Sequence, residues 1–389
     1  MRIGLFIDTF YPMVDGVINV VDNYARELLN YGEVTVFCPL VNDTPIKNKP
    51  YKIIQCKSVS VKGYDYAIPL PSLDPKFQKE LEKCKLDVIH IHSPFMLGEI
   101  GKNYAKRKKI PLLATIHSQF RQDFERAVKG KTAVDFMTNI IMNVFNACDL
   151  CYALNDGMKN LYFSEYGLTA PCKIRQNATC HTPIENLLQA NEEINNTYSL
   201  KNNQPVFLFV GRINYLKGVD LIVKSLKILK DKQIDFKMIF AGAGQDEDAL
   251  NKLIDALSLK NEVILTGKIT DVSLLEKLYA RATLFLFPSL YDANSLVQIE
   301  SACQSTPAIF SRGAITASQI TDGENGFLAD YTPESFADKI IEVLNNDHLY
   351  QKVCSNAKLE LYQVWETVVR QTYEDYLILI NKSKKEQFS

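Results

Sequence analysis

The chain is most informative at residues 209–218, which read Phe209-Val210-Gly211-Arg212-Ile213-Asn214-Tyr215-Leu216-Lys217-Gly218. Apolar residues predict a buried strand that ends at Gly211, and a helical pattern begins near Val219. Between them, Arg212 and Lys217 bring two cations to a helix N-terminus at the end of a strand, which suits a diphosphate. Two solvated charges on a loop would give the same pattern, so this stretch alone does not assign a function.

The strand–helix unit recurs along the whole sequence. Short apolar runs predict strands at 34–37, 88–92, 112–116, 207–210, 237–241, 263–266 and 284–288, and amphipathic patterns predict helices such as 17–29 and 219–229. That alternation is typical of βαβ units and parallel sheets. We therefore predict an α/β fold of two Rossmann-like, doubly wound parallel-sheet domains. Loops at the carboxyl ends of the strands would line a cleft between them.

A polar segment separates the two predicted sheets. Residues 185–203 are rich in Asn and Glu and contain no apolar run bounded by turns, which is typical of a linker or a surface helix. The predicted domains are therefore residues 1–183 and 184–361. Residues 362–389 are predicted to form a C-terminal helix with a frayed tail.

The composition is that of an ordinary globular protein. The 389 residues are 47% apolar and 23% charged, and the net charge of −1 argues against a polyelectrolyte that binds nucleic acid. The halves differ, since residues 1–183 carry 23 Lys and Arg against 18 Asp and Glu, and residues 184–389 carry 21 against 27. That difference could place the first half near an anionic surface or could be chance.

The sequence predicts neither export nor a membrane span. Met1 leads straight into an apolar strand, and no apolar run reaches about 18 residues. Nine scattered cysteines fit reduced thiols, and the isolated pair Cys148 and Cys151 is predicted to be buried rather than to bind metal. We therefore expect a cytoplasmic protein.

Two further stretches carry polar side chains near strand ends. Asp292 follows a predicted strand, and Glu300 lies about two turns into the next helix, where carboxylates can accept hydrogen bonds from sugar and ribose hydroxyls. His90 and His92 share one face of a strand, and we predict that His90 lies in the core. His117 begins a loop, and we predict that it acts near a departing phosphate as a hydrogen-bond donor or a cation.

Together these elements resemble the signature of the family-four retaining glycosyltransferases, which have a GT-B fold. The combination is Gly-Arg-x4-Lys-Gly at 211–218, followed by an acid-x7-Glu element at 292–300. Other family-like stretches lie at 10–17, 90–95, 115–117, 240–244, 265–268, 322–328 and 365–366, so the match spans nearly the whole chain. By this resemblance, residues 1–183 bind the acceptor, residues 184–361 bind a nucleotide sugar, and the C-terminal helix crosses back to the first domain.

The resemblance also implies roles for individual donor-binding residues. Arg212 and Lys217 would hold the diphosphate, Glu300 the ribose hydroxyls, and Asp292 the transferred sugar. The remaining expected donor contacts are Gly16, Gly211, the base-framing Gly267 and Lys268, and Asn294, Ser295, Leu296 and Val297 beside the sugar. Gly16 would let a backbone N–H approach the phosphate, where a side chain would collide. The expected donor is a nucleotide diphosphate sugar, with UDP-glucose favoured.

The same resemblance implies a route for catalysis. His117 would lie beside the sugar and stabilise developing charge, together with Arg212, Lys217 and Asp292, while His92 and Ser93 would lie on the acceptor side. Attack would come from the face that the leaving group vacates, so no separate nucleophile is required. Stabilisation of the departing diphosphate would be mostly electrostatic, and no metal or other cofactor is expected.

Three positions depart from the family pattern. Asp292 stands where Glu is usual, and Ser295 stands where Gly is usual. Residues 177–180 read Asn177-Ala178-Thr179-Cys180 and lack the usual acid. These departures leave the choice of donor open.

Two acceptor classes fit the sequence. His90-Ile91-His92-Ser93-Pro94-Phe95 and Asp292 are similar to enzymes that glucosylate diacylglycerol at a membrane face, and cell-envelope polysaccharide assembly is the close alternative. A non-catalytic GT-B partner subunit is a further alternative, which the retained charged residues disfavour.

A membrane surface is the expected partner of the first domain. Lys102 and the basic residues 106–109 could dock on anionic lipid at the inner face of the cell membrane, or could form an ordinary solvated helix face of the same composition. An apolar stripe could contact lipid tails or pack into the domain, and it consists of Phe136, Met137, Ile140, Ile141 and Val144.

Overall fold

The structure, a computed structural model, describes residues 1–13, 15–60 and 67–388. The chain forms two compact units, of which unit 1 comprises Met1–Asn177 and Val364–Ser389, and unit 2 comprises Ala178–Gln363. The change of unit falls six residues before the expected position at 183. The reason is local, because the backbone N–H groups of Thr182 and Ile184 already bond to side chains of unit 2, each at 2.9 Å.

Unit 1 is built on a seven-stranded parallel sheet. In spatial order its strands are β3 (Lys52–Cys56), β2 (Glu33–Pro39), β1 (Arg2–Phe6), β6 (Val88–Ile91), β7 (Leu112–Ile116), β8 (Leu150–Ala153) and β9 (Cys172–Ile174). A separate antiparallel pair consists of β4 (Ser58–Ser60) and β5 (Ala67–Pro69). The helices are α1 (Gly16–Leu28), α2 (Pro75–Cys84), α3 (Met96–Lys108), α4 (Phe120–Ala127), α5 (Lys131–Phe145), α6 (Asp156–Ser164) and the last helix of the chain, α14 (Trp365–Phe388). Strands β6, β7 and β8 are buried throughout, as parallel strands covered on both faces are.

Buried polar bonds fix α14 to the sheet of unit 1. Helix α14 packs on α1, and its Tyr376 hydroxyl lies 2.7 Å from Nδ1 of His90. Its Asp375 accepts a hydrogen bond from Tyr152 at 2.9 Å and pairs with Arg175 at 2.8 Å. His90 is therefore a core residue, as its position in the strand predicts.

Unit 2 is built on a six-stranded parallel sheet. In spatial order its strands are β12 (Val263–Gly267), β11 (Lys237–Ala241), β10 (Val206–Val210), β13 (Leu284–Phe287), β14 (Ala308–Ser311) and β15 (Phe327–Ala329). Its helices are α7 (Leu187–Tyr198), α8 (Val219–Asp231), α9 (Glu247–Ala256), α10 (Val272–Arg281), α11 (Leu296–Cys303), α12 (Pro333–Leu344) and α13 (Asp347–Leu361). The polar segment 185–203 thus contains a helix, α7, which packs on α10.

The strand order determines where each unit can bind a ligand. In both sheets the order reverses beside the strand that comes first in the chain, between β1 and β6 in unit 1 and between β10 and β13 in unit 2. Open α/β sheets bind ligands at the carboxyl ends of the strands at this reversal. In unit 2 the point is flanked by the loops that follow β10 and β13.

All seven strands predicted from the sequence are confirmed, with ends that differ by at most two residues.

Candidate active site

Two loops of unit 2 lie in backbone contact beside the reversal point. Gly211 and Ile213, after β10, donate backbone N–H bonds to the carbonyl groups of Ala241, the last residue of β11, and of Ala243 in the loop that follows, both at 3.1 Å. A Cβ on Gly242 would lie 1.8 Å from the oxygen of Gly211, and one on Gly244 would lie 2.2 Å from the oxygen of Ile213. Only glycine permits this approach, so the loop after β11 fixes the path of the loop that carries Arg212.

The two cations of the β10 loop have different surroundings. Arg212 is exposed, and it makes no hydrogen bond or ion pair within the part of the chain that the structure describes. Lys217 is largely buried and pairs through Nζ with Oδ1 of Asp292. Lys217 and Asp292 are 75 residues apart in the sequence. The fold brings the side chain expected to bind the diphosphate into contact with the side chain expected to bind the sugar.

Asp292 is held on both of its carboxylate oxygens. Its Oδ2 accepts a hydrogen bond of 2.5 Å from the hydroxyl of Ser289, which is fully buried two residues after the end of β13. The same Ser289 oxygen accepts a hydrogen bond from the backbone N–H of Tyr291 at 3.3 Å. A carboxylate fixed in this way can accept hydrogen bonds from hydroxyl groups without rearranging.

Helix α11 begins in the β13 loop and presents its N-terminus to the same edge of the sheet. Residues 294–297 are half-buried and run from the loop into the first turn. Ser295 is the N-cap residue, and its side chain makes no capping bond. Its φ of −95° suits any residue, so serine replaces the glycine usual in the family without strain. The first N–H groups of a helix attract anions, which suits a phosphate or an electron-rich sugar oxygen.

Glu300 lies deeper in α11 and is held by residues outside the predicted site. Its Oε2 accepts a hydrogen bond from the Tyr279 hydroxyl at 2.9 Å, and its Oε1 lies 3.8 Å from Nε2 of His181. Burial raises the pKa of Glu300, and the nearby His181 and the Tyr279 bond oppose that rise. Neither partner was predicted, although His181 directly follows the atypical residues 177–180.

The remaining donor-side residues lie at the end of β12. Gly267 has a φ of +70°, which favours glycine, and a Cβ there would meet no atom of the described residues within 4 Å. It pairs with Gly242 through an isolated bridge, and Lys268 beside it is exposed. The predicted residues of unit 2 therefore all lie at one edge of its sheet or in the first two turns of α11.

Gly16 is the first residue of α1 in unit 1. The N-cap residue Asp15 accepts a hydrogen bond from Ile18 N at 2.9 Å. A Cβ on Gly16 would meet no atom within 4 Å. The described residues therefore leave room at Gly16, and the expected collision there is not with any of them.

The histidines of unit 1 form a buried cluster. Nδ1 of His92 lies 3.0 Å from Nε2 of His117, and both rings are buried. Burial lowers the pKa of His117 to about 3, so the ring is neutral near pH 7. A neutral ring favours the hydrogen-bond donor over the cation, and the role of His117 near the phosphate stays a prediction. Ser93 is buried beside them and accepts a bond from Asp8 N at 3.1 Å.

Asp8 is a buried carboxyl group that the sequence analysis did not single out. It follows β1, and its Oδ1 accepts a hydrogen bond from Leu97 N in the first turn of α3 at 2.8 Å. Its Oδ2 is buried without a hydrogen-bond partner among the described residues. Burial raises the pKa of Asp8 to about 7. The sequence signal for Asp8 is an acidic residue directly after an apolar run.

Other expectations concern metals, membranes and cysteines. Within residues 1–13, 15–60 and 67–388, no cluster of three His, Cys, Asp or Glu side chains could hold a metal ion. No helix in that part of the chain is long and apolar enough to cross a bilayer. Cys148 and Cys151 are buried, as predicted, and each thiol donates to a nearby carbonyl at 3.4 Å.

Comparison with known proteins identifies the family of this chain. Residues 190–360 match the family model described as glycosyl transferases group 1, and residues 14–196 match that described as Glycosyltransferase Family 4. The chain is 25% identical over 404 aligned residues to alpha-monoglucosyldiacylglycerol synthase of Acholeplasma laidlawii, which covers 99% of both chains. The enzyme of the same name from Streptococcus pneumoniae is also 25% identical over 404 residues and covers 99% of this chain and 88% of its own.

Solved structures show the same fold. Sucrose-phosphate synthase from Thermosynechococcus elongatus has a TM-score of 0.80 at 19% identity and covers 98% of this chain and 99% of its own. Anabaena HepE, solved in complex with UDP-glucose, has a TM-score of 0.75 at 16% identity and covers 97% and 99%. The two family models together match residues 14–360. The chain therefore belongs to the family-four glycosyltransferases of GT-B fold, and it is a nucleotide-sugar-dependent glycosyltransferase.

Proposed function

We propose that this enzyme transfers glucose from UDP-glucose to diacylglycerol with retention of the anomeric configuration. The observation that carries the proposal is the edge of the unit 2 sheet, where Arg212, the Lys217–Asp292 pair and the N-terminus of α11 lie around the reversal of strand order. Fixed positive charge and N–H donors suit a diphosphate, and a fixed carboxylate suits sugar hydroxyls. The names of the two synthases cited above support glucose and diacylglycerol as the substrates.

Each part of the donor has a proposed binding group. Arg212, Lys217 and the first N–H groups of α11 hold the diphosphate, and Asp292 with residues 294–297 holds the glucose. Glu300 accepts hydrogen bonds from the ribose hydroxyls, and the end of β12 at Gly267 and Lys268 frames the base. For Gly16 of unit 1, only the family resemblance supports a phosphate contact.

Catalysis is proposed to rest on stabilisation of the leaving UDP. As the bond between the anomeric carbon and the diphosphate breaks, negative charge grows on the diphosphate and positive charge on the sugar. Arg212 and Lys217 stabilise the negative charge on the diphosphate. The fixed carboxylate of Asp292 keeps the sugar hydroxyls in one orientation. The neutral ring of His117 can donate or accept a hydrogen bond but carries no charge. The acceptor hydroxyl attacks from the face that UDP leaves, which retains the configuration.

Surface chemistry of unit 1 supports a membrane acceptor. On α5, Phe136 is 65% exposed and Ile140 is 49% exposed, one helical turn apart, whereas Ile141 and Val144 are buried. The predicted apolar stripe therefore divides into a core face and a smaller exposed pair. An exposed aromatic and aliphatic pair on a helix suits insertion at the level of lipid headgroups.

The basic residues at the end of α3 support docking on anionic lipid. Lys102 pairs with Glu99 at 2.7 Å, and Arg107 and Lys108 both pair with Glu82. The carboxylates offset part of the positive charge, so the whole group, residues 102 and 106–109, keeps an excess of three positive charges. At about 1 kcal/mol for each effective charge, the membrane affinity is modest and decreases with salt.

Liposome sedimentation tests the membrane surface. Replacement of residues 106–109 by Ser should reduce binding to vesicles that contain phosphatidylglycerol, and added salt should release the wild-type protein. A matched control replaces the same number of basic residues on and after α8, namely Lys224, Lys227, Lys230 and Lys232, of which Lys224 and Lys232 are exposed and the other two half-buried. Equal losses in both variants, or binding that is independent of phosphatidylglycerol, would contradict the proposed docking surface.

Product analysis tests the reaction itself. The wild-type protein, incubated with labelled UDP-glucose and a membrane lipid extract, should place the label in a monoglucosyl lipid. The Arg212→Ala variant should transfer the label about a hundredfold more slowly. Label in a polysaccharide fraction, with none in lipid, would show that the acceptor is a cell-envelope glycan instead.

A further inference from the structure

Two histidines follow neighbouring strands of the unit 1 sheet. His92 is the first residue after β6, and His117 is the first residue after β7. The backbone N–H of His92 donates to the carbonyl of Phe6 at 2.8 Å, which continues the pairing with β1 to this residue. Because β6 and β7 pair in parallel, both side chains lie at the carboxyl edge of the sheet, where open α/β sheets bind ligands.

The two rings differ in how much of each a ligand can reach. His92 is 2% exposed, whereas His117 is 9% exposed. The ring of His92 lies against that of His90, with centroids 4.2 Å apart, and edge-on to that of Tyr24, with centroids 5.4 Å apart. These contacts enclose His92 and fix the plane of its ring. His117 is therefore the ring of this pair that can meet a substrate, and His92 is placed to act through it.

One hydrogen bond joins the two rings. Nδ1 of His92 lies 3.0 Å from Nε2 of His117, which is a normal hydrogen-bond length. Burial lowers the pKa of His92 well below its usual value and that of His117 to about 3, so both rings are neutral near pH 7. A neutral imidazole carries one N–H, and therefore only one of the two facing nitrogens donates in this bond.

The outer nitrogen of His92 distinguishes the two possible arrangements. If His117 donated, the proton of His92 would lie on Nε2, which is buried and has no hydrogen-bond partner among the described residues. Buried N–H groups without an acceptor are rarer in folded proteins than buried acceptors without a donor. If His92 donates through Nδ1, its Nε2 carries no proton, and the proton of His117 lies on Nδ1. The second arrangement avoids the unsatisfied N–H and is favoured.

We propose that His92 is a positioning residue for the transfer reaction, because its Nδ1–H bond to His117 selects the tautomer of His117 that carries its proton on Nδ1. His117 then presents an N–H to the substrate. The inference rests on the role proposed above for His117 as a hydrogen-bonding group in the transfer step. Oxygens of an ionised diphosphate accept hydrogen bonds and do not donate them, so this tautomer can bond to the departing group through Nδ1. The opposite tautomer would present a bare nitrogen instead.

Nitrogen NMR of the histidine rings reports the tautomer directly. The chain has five histidines, so protein that is isotope-labelled only in histidine gives a small set of ring signals. His117→Gln and His92→Leu assign two of the signal sets by removing them. A protonated ring nitrogen and a bare one differ in chemical shift, and in the wild-type protein Nδ1 should carry the proton in both rings. A proton on Nε2 of His117 would overturn the proposal.

Two substitutions of similar volume test whether His92 controls the tautomer and the rate. His92→Asn keeps an N–H donor near Nε2 of His117, whereas His92→Leu removes it. In His92→Leu, His117 should occupy both tautomers, and kcat for UDP-glucose turnover should fall about tenfold, as expected for one hydrogen bond. KM should not change, because charge grows on the diphosphate only as its bond to the sugar breaks. His92→Asn should restore the Nδ1 tautomer and most of kcat.

Tyr24→Phe is the matched control for damage to the packing around His92. It keeps the ring that lies edge-on to His92 and removes a buried hydroxyl, which lies 3.4 Å from that of Thr372. This variant should leave the tautomer of His117 and kcat unchanged. A fall in kcat equal to that of His92→Leu would show that packing accounts for the loss, and the positioning role would be refuted.

The remaining outcomes separate this inference from the proposed function. An unchanged tautomer of His117 in His92→Leu would overturn the role of His92. His117→Ala provides the reference, because it should lower kcat about a hundredfold. If His117→Ala lowers kcat and the two His92 variants do not differ, only the inference on His92 fails. If His117→Ala keeps the wild-type kcat, the proposed role of His117 fails, and the positioning role of His92 fails with it.

Discussion

Substitution of Gly244 by alanine should separate damage to the site from damage to the fold. A Cβ at this position would lie 2.2 Å from the carbonyl oxygen of Ile213 and 2.8 Å from its carbonyl carbon. An ordinary contact of a Cβ atom needs 3.4 Å or more, so the loops after β10 and β11 must separate by about 1 Å. Overpacking of this kind costs about 1–3 kcal/mol of stability. A displacement of about 1 Å in a positioning loop can cost about a hundredfold in rate, and this loop carries Arg212.

Gly32 provides a matched control in unit 1. A Cβ on Gly32 would also lie 2.2 Å from a carbonyl oxygen, that of Met1, but at the amino end of β2. Gly32→Ala and Gly244→Ala should therefore lower the midpoint of thermal unfolding by similar amounts. Only Gly244→Ala should also lower kcat for UDP-glucose turnover, by about a hundredfold. If both variants kept the wild-type rate, or lost it equally, the role of the β10 loop in binding the donor would be refuted.

The other predictions concern single side chains. Arg212→Ala and Lys217→Ala should each lower kcat about a hundredfold with an unchanged circular dichroism spectrum, because each removes a cation from the departing diphosphate, and near wild-type turnover in both would contradict this. Glu300→Gln should mainly raise the Kd of UDP and Asp292→Asn should mainly lower kcat, so equal effects on Kd would refute the division of roles. Because burial raises the pKa of Asp8 to about 7, the folded state holds a proton that the unfolded state loses near pH 4. Stability should therefore fall as the pH rises between about 4 and 7, and Asp8→Asn should flatten that fall in urea titrations.

The sequence predicts the elements of this fold better than their arrangement. Buried parallel strands are continuous apolar runs, so Leu112–Ile116 and Lys237–Ala241 are recognisable without any knowledge of their neighbours. Their spatial order depends on which strands pair, and no local pattern contains that information. The reversal between β10 and β13 appears only in the structure, and it explains why loops 75 residues apart meet at Lys217 and Asp292.

The candidate site shows the same limit at the level of side chains. A motif identifies Arg212 and Glu300, but it does not show that Tyr279 and His181 hold the second of them. The charge of His117 depends on burial of the ring against His92, which alternation along a strand does not reveal. The sequence shows that Ser295 replaces the glycine usual in the family, but only the structure shows that its backbone, with a φ of −95°, needs no glycine.

The most direct test of the proposed reaction is the anomeric configuration of its product. Proton NMR of the glucolipid made from UDP-glucose and diacylglycerol should show an α-linked glucose, with one UDP released for each lipid formed. That result is expected if the acceptor attacks from the face that the diphosphate leaves, beside Arg212 and Lys217. A β-linked glucose, or a product formed without release of UDP, would contradict the proposed mechanism.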